Sequence, residues 1–264
     1  MNIYLQELRA HRKSLIIWSV SMVLLIIAGM GKFSAGVGAG AGSFNEMMEQ
    51  LPDSIQNLMG VGVFDLSKPL DFYGVLFLHI GLLATVYSVM LGVGIISKEE
   101  RDKTIEFLAV KPVSRHKIIT SKLLAALSMV LIFNIVTFTS SLIMISNYTN
   151  EPFVKDVFML MLGLLAMQII FTVLGTFLAA LISKSKLSSA ISTGVLMFLF
   201  MISVIIDIAG NVDFLKFITP FKYYDAKDIL KGGYNTVYPL ISVILVIIFT
   251  YGTYYFYKKR DLRV

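Results

Sequence analysis

The chain has 264 residues, of which 56% are hydrophobic and only 15% charged, and its mean hydropathy is +0.78. Soluble domains carry about 25% charged residues, so the composition is that of an integral membrane protein. The absence of cysteine excludes a disulfide scaffold, thiol catalysis and cysteine metal sites. The net charge of +6 is spread as a topology signal and not as a nucleic-acid footprint.

In chain order, residues 1–14 place Tyr4, Leu5 and Leu8 at helical spacing, with Arg9, Arg12 and Lys13 nearby. This pattern predicts an amphipathic helix lying in the membrane interface. Six continuously apolar runs follow, at about residues 15–31, 72–96, 123–145, 157–182, 187–206 and 237–257. Each is near the roughly 20 residues that cross a bilayer as a helix. Only a helix satisfies its own backbone in lipid without alternation along the chain. The expectation is therefore an all-α membrane protein with six transmembrane helices, forming a single domain over residues 1–264. The first run has a basic start and small residues after it, the outline of a cleaved signal. Its length and the residues ahead of it favour a retained span.

Between the first two runs, Gly36, Gly38, Gly40 and Gly42 form a flexible stretch. Ser43 and Glu46 then fit a capping box. Phe44, Met47, Met48 and Leu51 follow at helical spacing, and Pro52 stops the run. With both termini in the cytoplasm, 16 of the 23 lysines and arginines lie inside, as the positive-inside rule requires. The outside segment before the last span is dense in charge: Lys216, Lys222, Lys227 and Lys231 against Asp213, Asp225 and Asp228.

Polar groups within the apolar runs are few: His79, Asn134, Gln168 and, at the end of the fifth run, Asp207. Each reads as isolated. A hydrogen bond to a neighbouring helix explains His79 at least as well as a role in transport does, and solvation at the outer boundary accounts for Asp207. There is no GxxxxGK[ST], hence no P-loop, and no HExxH. Three scattered histidines do not make a metal centre. The reading is of a non-enzymatic membrane protein that binds no cofactor itself.

One segment stands apart. Residues 97–117, SKEERDKTIEFLAVKPVSRHK, hold ten charged side chains between two apolar runs. Glu99 and Lys103 have the favourable i, i+4 order on a helix. Ile105, Leu108 and Ala109 form an apolar face. Pro112 ends that helix, and Ser114 caps the next one, which carries Arg115, His116 and Lys117 into the third span. The positive-inside rule explains the lysines and arginines. It does not explain Glu99, Glu100, Asp102 and Glu106, or the apolar face, whereas a helix shaped for a groove on a partner explains both.

This stretch resembles the cytoplasmic coupling segment of ABC-2 type exporter permeases. Glu99 and Glu100 match that family's acidic pair. Thr104, Ile105 and Glu106 match its Thr-Ile-Glu core, and Pro112, Val113, Ser114 and Arg115 match its Pro-Val-Ser-Arg run, with Lys122 as the later lysine. Lys103 stands where the family usually has glycine. LPDSIQNLMGVGVFDLSKP resembles the family's first external loop, and ITPFKYYDAKDILKGG its segment between the fifth and sixth spans.

The resemblance implies a permease that works as a dimer, with a second copy or a paralogue. A coupling helix at about residues 99–110 would dock a separate ATPase subunit, which binds ATP and magnesium. For that contact it points to Glu99, Glu100, Lys103, Thr104, Ile105, Glu106, Phe107, Leu108 and Arg115. It also implies an export path along the second and fifth spans, to which we assign His79, Leu83, Tyr87, Ser192, Leu196 and Leu199. A short re-entrant external segment before the last helix would cap that path. Amphipathic or apolar cargo (peptide, drug or lipid) suits spans with so little charge. Lysine- and isoleucine-rich usage without cysteine fits a bacterial plasma membrane. A secondary transporter or channel would need midplane acids or broken helices. An assembly protein would share every feature except the need for an ATPase.

Overall fold

The computed structural model describes residues 3–38, 50–52, 55–56, 63–101, 114–209 and 212–259. Among these it has seven α-helices: α1 Ile3–Gly38, α2 Pro69–Arg101, α3 Arg115–Ser146, α4 Val154–Leu181, α5 Ser185–Ala209, α6 Ala226–Gly232 and α7 Val237–Lys259. Six of them, all but the short α6, are long and apolar enough to cross a membrane. The expected capping box at Ser43 and Glu46 lies outside the described residues. So do the predicted coupling-helix residues Lys103, Thr104, Ile105, Glu106, Phe107 and Leu108.

The six long helices match the predicted runs, with one correction. No separate interfacial helix precedes the first span, because α1 is continuous for 36 residues. At 1.5 Å per residue it is about 54 Å long, well beyond the roughly 30 Å hydrocarbon core. Its first turns therefore extend past the hydrocarbon core while still packing on the bundle. The reason is a tertiary one: Glu7 and Leu8 pack inward against the other helices, so the amphipathic face is spent on the bundle. The cap of α3 forms as predicted, with Ser114 accepting from the Lys117 N–H at 3.3 Å.

α2 and α4 are the centre. α1 packs on α3 and α2, α5 on α2 and α4, and α7 on the back of α4. Lipid tails are as apolar as leucine, so helices in a bilayer associate by close packing and interhelical hydrogen bonds. Both are visible. α2 and α4 cross where Gly92 and Gly175 let the backbones meet. A Cβ on Gly175 would lie 2.5 Å from the Val89 carbonyl oxygen, and one on Gly92 would collide with the Thr172 carbonyl. Gly92→Leu is therefore expected to force α2 from α4 and abolish the monodisperse peak in detergent. Gly31→Leu, where a Cβ meets nothing within 4 Å, should leave it intact. An unchanged Gly92→Leu profile would remove this crossing from the account of the fold.

The interhelical hydrogen bonds correct the isolated-group reading. The Asn134 amide donates to the Gln168 side-chain oxygen at 3.0 Å and to the Met161 carbonyl at 3.3 Å, joining α3 to α4. Tyr73 on α2 and Ser141 on α3 share a hydrogen bond of 2.7 Å. His79, by contrast, is exposed on the single chain.

Candidate functional site

The two ends of the bundle differ in charge. At one end lie the start of α1, the end of α2, the start of α3 and the end of α7, as shown by contacts of Glu7 with Lys98 and Lys122, and of Arg115 with Lys258. This basic end also carries the α4–α5 link with Lys184 and Lys186. At the opposite end sit the segments between α5 and α7.

The basic end holds a buried charge cluster. Lys122 is 0% exposed and Glu7 only 3%. The Glu7 carboxylate is 3.3 Å from Lys122 Nζ and 3.7 Å from Lys98 Nζ. Lys122 Nζ also donates to the Ile95 carbonyl at 2.5 Å, and His11 Nδ1 lies 3.2 Å from the Glu7 backbone carbonyl and 3.7 Å from its carboxylate. Charges this buried persist only when paired and hydrogen-bonded. The cluster thus ties three helices together. Lys98 is the last residue before the acidic pair Glu99–Glu100, and Lys122 lies one to two turns into α3. Glu7 therefore grips both legs that flank the charged stretch. Arg115, at the first position of α3, donates from Nη1 to the Lys258 carbonyl at 2.8 Å, which joins α3 to α7.

The opposite end carries a folded cap. After α5 come two 3-10 turns, Asp213–Phe217 and Pro220–Lys222, then α6. Asp225 caps α6 by accepting from the Lys227 N–H at 3.0 Å, and Gly233 ends it at φ 78°, a conformation that favours glycine. Lys222 is 4% exposed and donates to Asp207 at 2.6 Å and to Asp225 at 2.5 Å. Lys227 joins Asp207 at 3.2 Å, and Lys231 meets Asp71 on α2 at 3.1 Å.

Burial alone would lower the Lys222 pKa, but the neighbouring Asp225 and Asp207 carboxylates raise it above its ordinary value. For Asp225, burial pushes upward and the Lys222 charge outweighs it, so the carboxyl sits below its usual range. Asp228 is pushed up by burial and by the adjacent Asp225 charge. Burial also pushes the Tyr223 and Tyr234 hydroxyls up to about 12. Tyr223 donates to the Phe217 carbonyl and Tyr234 to that of Met159, so the cap is sewn down by phenols as well as charges. Asp207 is thus a half-buried member of an ion cluster, which corrects the solvated-boundary reading. A small cavity of about 40 Å³ lies beneath, between Asp207, Ser203, Phe77, Met167 and Tyr224.

The residues assigned to the path fall in two environments. Tyr87 is buried, with its ring 4.7 Å from Phe133 and 5.9 Å from Trp18. Ser192 and Leu196 are fully buried on the inner face of α5. Leu83 and Leu199 are half-buried and His79 is exposed. On α2 the outward stripe is His79, Leu83, Val86 and Met90, at i, i+4, i+7 and i+11. Tyr87 is turned away from it. On α5 the outward residues are Ile191, Met197, Phe198, Met201 and Ile205. Glu99 and Glu100 lie in the last turn of α2.

Sequence reading did not bring Glu7, Lys98 and Lys122 together. The available signal was a lone acid in a basic lead-in and a lysine well inside a helix that becomes apolar. Among the described residues no cluster of histidine, aspartate and glutamate is shaped for a metal ion. No curated protein matches the chain. A family model described as ABC-2 family transporter protein matches residues 1–262, and its members are multi-pass membrane transport subunits that normally work with an ABC ATPase. Matched over nearly its whole length, with six candidate spans in an all-helical bundle, the chain belongs to the ABC-2 family of transporter proteins.

Proposed function

We propose that this chain is the membrane subunit of an ATP-driven exporter in a bacterial plasma membrane. The observation that carries the reading is the family match across residues 1–262. The basic end is the cytoplasmic one by the positive-inside rule. There the stretch from Glu99 through Arg115 docks an ATPase subunit. Glu100, Thr104, Glu106 and Arg115 are the polar contacts, and Ile105, Phe107 and Leu108 supply burial. ATP and magnesium are held by that partner. Because Glu7 is bonded on both sides of the stretch, through Lys98 and Lys122, a push on the stretch reaches α1, α2 and α3 together.

Two copies, or this chain and a paralogue, meet through the outward apolar stripes of α2 and α5. The cargo path runs between them past His79 and Leu83, and the cap closes it on the far side. Stripes with so few polar groups favour amphipathic or apolar cargo.

Co-purification in detergent with candidate ATPase subunits tests this, comparing wild type with Glu106→Arg. Wild type is expected to capture an ATPase, and the variant to lose it or to retain it with transport-coupled hydrolysis abolished. If wild type captures none with ATP or ADP present, the exporter reading fails, and a channel or assembly role replaces it.

A further inference from the structure

A second feature of the bundle stands apart from the α2–α5 stripes. α4 packs against both α3 and α7, whereas α3 and α7 touch each other far less. Their polar contacts gather at the basic end: Arg115 to the Lys258 carbonyl, Thr120 to Tyr254 at 2.8 Å, and His116 stacked on Tyr254 at 5.7 Å. Away from that corner the two helices stand apart over α4. They leave a groove of about 270 Å³, walled by Leu123 and Leu127 of α3 and Val246 of α7, and floored by Ile169 and Val173 of α4. Its lining is apolar except near Thr120, Thr250 and Tyr254 and at buried Thr172, whose hydroxyl is already bonded to the Gln168 carbonyl at 2.7 Å. The groove therefore offers a long apolar slot with a polar corner at one end only.

Charge identifies the occupant. The ends of the three helices that line the groove are basic, with Arg115 and Lys117 on α3, Lys184 and Lys186 after α4, and Lys258 and Lys259 on α7, whereas α2, which does not line it, ends on Glu99, Glu100 and Arg101. α3 and α7 contain no aspartate or glutamate anywhere. Among the residues whose side chains are described, the acid at this end is Glu7, and it is committed to Lys122 and Lys98. We infer that the groove binds an anionic phospholipid. One acyl chain would lie along Leu127, Ile169 and Val246, and the phosphate headgroup would sit at the corner among Lys117, Lys258 and Lys259. Basic pockets between helices at the cytoplasmic face are where anionic headgroups bind, and a tyrosine with one apolar and one polar edge suits that depth. The inference uses the membrane orientation proposed above but not the exporter reading, so its outcome is independent of ATPase capture.

The test is lipid retention. The full chain is purified from nanodiscs containing equal phosphatidylglycerol and phosphatidylcholine, and bound lipid is read by native mass spectrometry. Wild type is expected to retain phosphatidylglycerol over phosphatidylcholine by roughly a hundredfold, at about a factor of five for each of the three lysines. Lys258→Gln with Lys259→Gln, both exposed, should keep a lipid but lose most of that preference. Leu127→Trp, which fills the slot from a position 38% exposed, should lose both lipids. Inorganic phosphate in excess should not displace the lipid, because the acyl chain provides most of the hold. Equal retention of both lipids by wild type overturns the proposal. So does displacement by phosphate, or lipid retained unchanged in the charge variant. Because the chain has no cysteine, Leu127→Cys gives a clean probe. Disulfide-linked dimers through it would assign the groove to a second copy of the chain and overturn lipid as its occupant.

Discussion

Replacing Glu7 with leucine is expected to destabilise the bundle by about 3–5 kcal/mol, the cost of stripping one partner from a buried ion pair. Lys122, fully buried, would be left with the Ile95 carbonyl and no nearby carboxylate from α1. The measurement is the melting temperature in detergent. A companion variant, Glu7→Leu with Lys122→Met, removes both charges. Replacing a whole buried pair with apolar groups of similar size is often neutral or stabilising, so the double variant should recover most of the loss. The contrast carries a functional consequence. The double variant should fold yet show ATPase activity no longer linked to transport, because α1 has lost its tie to both sides of the charged stretch. If the single and double variants melt alike, the cluster does not hold the helices as described.

Lys222→Met is expected to open the cap. Lys222 lies between Asp207 and Asp225 at 2.6 and 2.5 Å, and without it two carboxylates face each other with only Lys227 nearby. The expected loss is again about 3–5 kcal/mol, read as faster proteolysis between α5 and α7. The pH dependence follows from the two shifts. The Asp225 pKa is depressed, so its contribution is complete above its ordinary value of 3.8 and is lost as pH falls through the lower folded value. The Lys222 pKa is raised, so its contribution is complete below 10.5 and is lost as pH rises through the higher folded value. Asp228 acts in the opposite sense to Asp225, since its raised pKa favours the folded state as pH falls. Protection of the cap from protease should be flat between those limits in wild type. In Lys222→Met the plateau should drop, and the alkaline edge should keep only the part set by Tyr223 and Tyr234, whose pKa values, raised from 10.0 to about 12, weaken the cap as pH rises above 10.0. A wild-type profile that falls steeply near neutrality would contradict the cluster.

Much of this was legible in the chain itself. Long apolar runs fix spanning helices because lipid leaves the backbone no other partner. That is a local demand, so span positions were readable to within a few residues except for α1, which outruns its apolar stretch at both ends, and for the start of α3, which lies at Arg115 and not near residue 123. Ser114 as a cap is also local, since its hydroxyl and the Lys117 N–H are three residues apart. The charged stretch and the family it resembles rest on order and spacing along the chain, which folding does not alter.

What periodicity left open was direction. Any face of a uniformly apolar helix looks the same in sequence, so nothing along the chain could say that Tyr87 turns inward to Phe133 while His79 turns outward. Partners distant in sequence were equally hidden: Asn134 with Gln168, Asp71 with Lys231, and Glu7 with Lys122. The sequence by itself determined that this is a six-span helical membrane protein of the ABC-2 family, because burial in lipid and motif spacing are written residue by residue. Only the tertiary structure decided which charges meet and which faces stay open. Those depend on backbones brought close at Gly92 and Gly175, where no local pattern reaches.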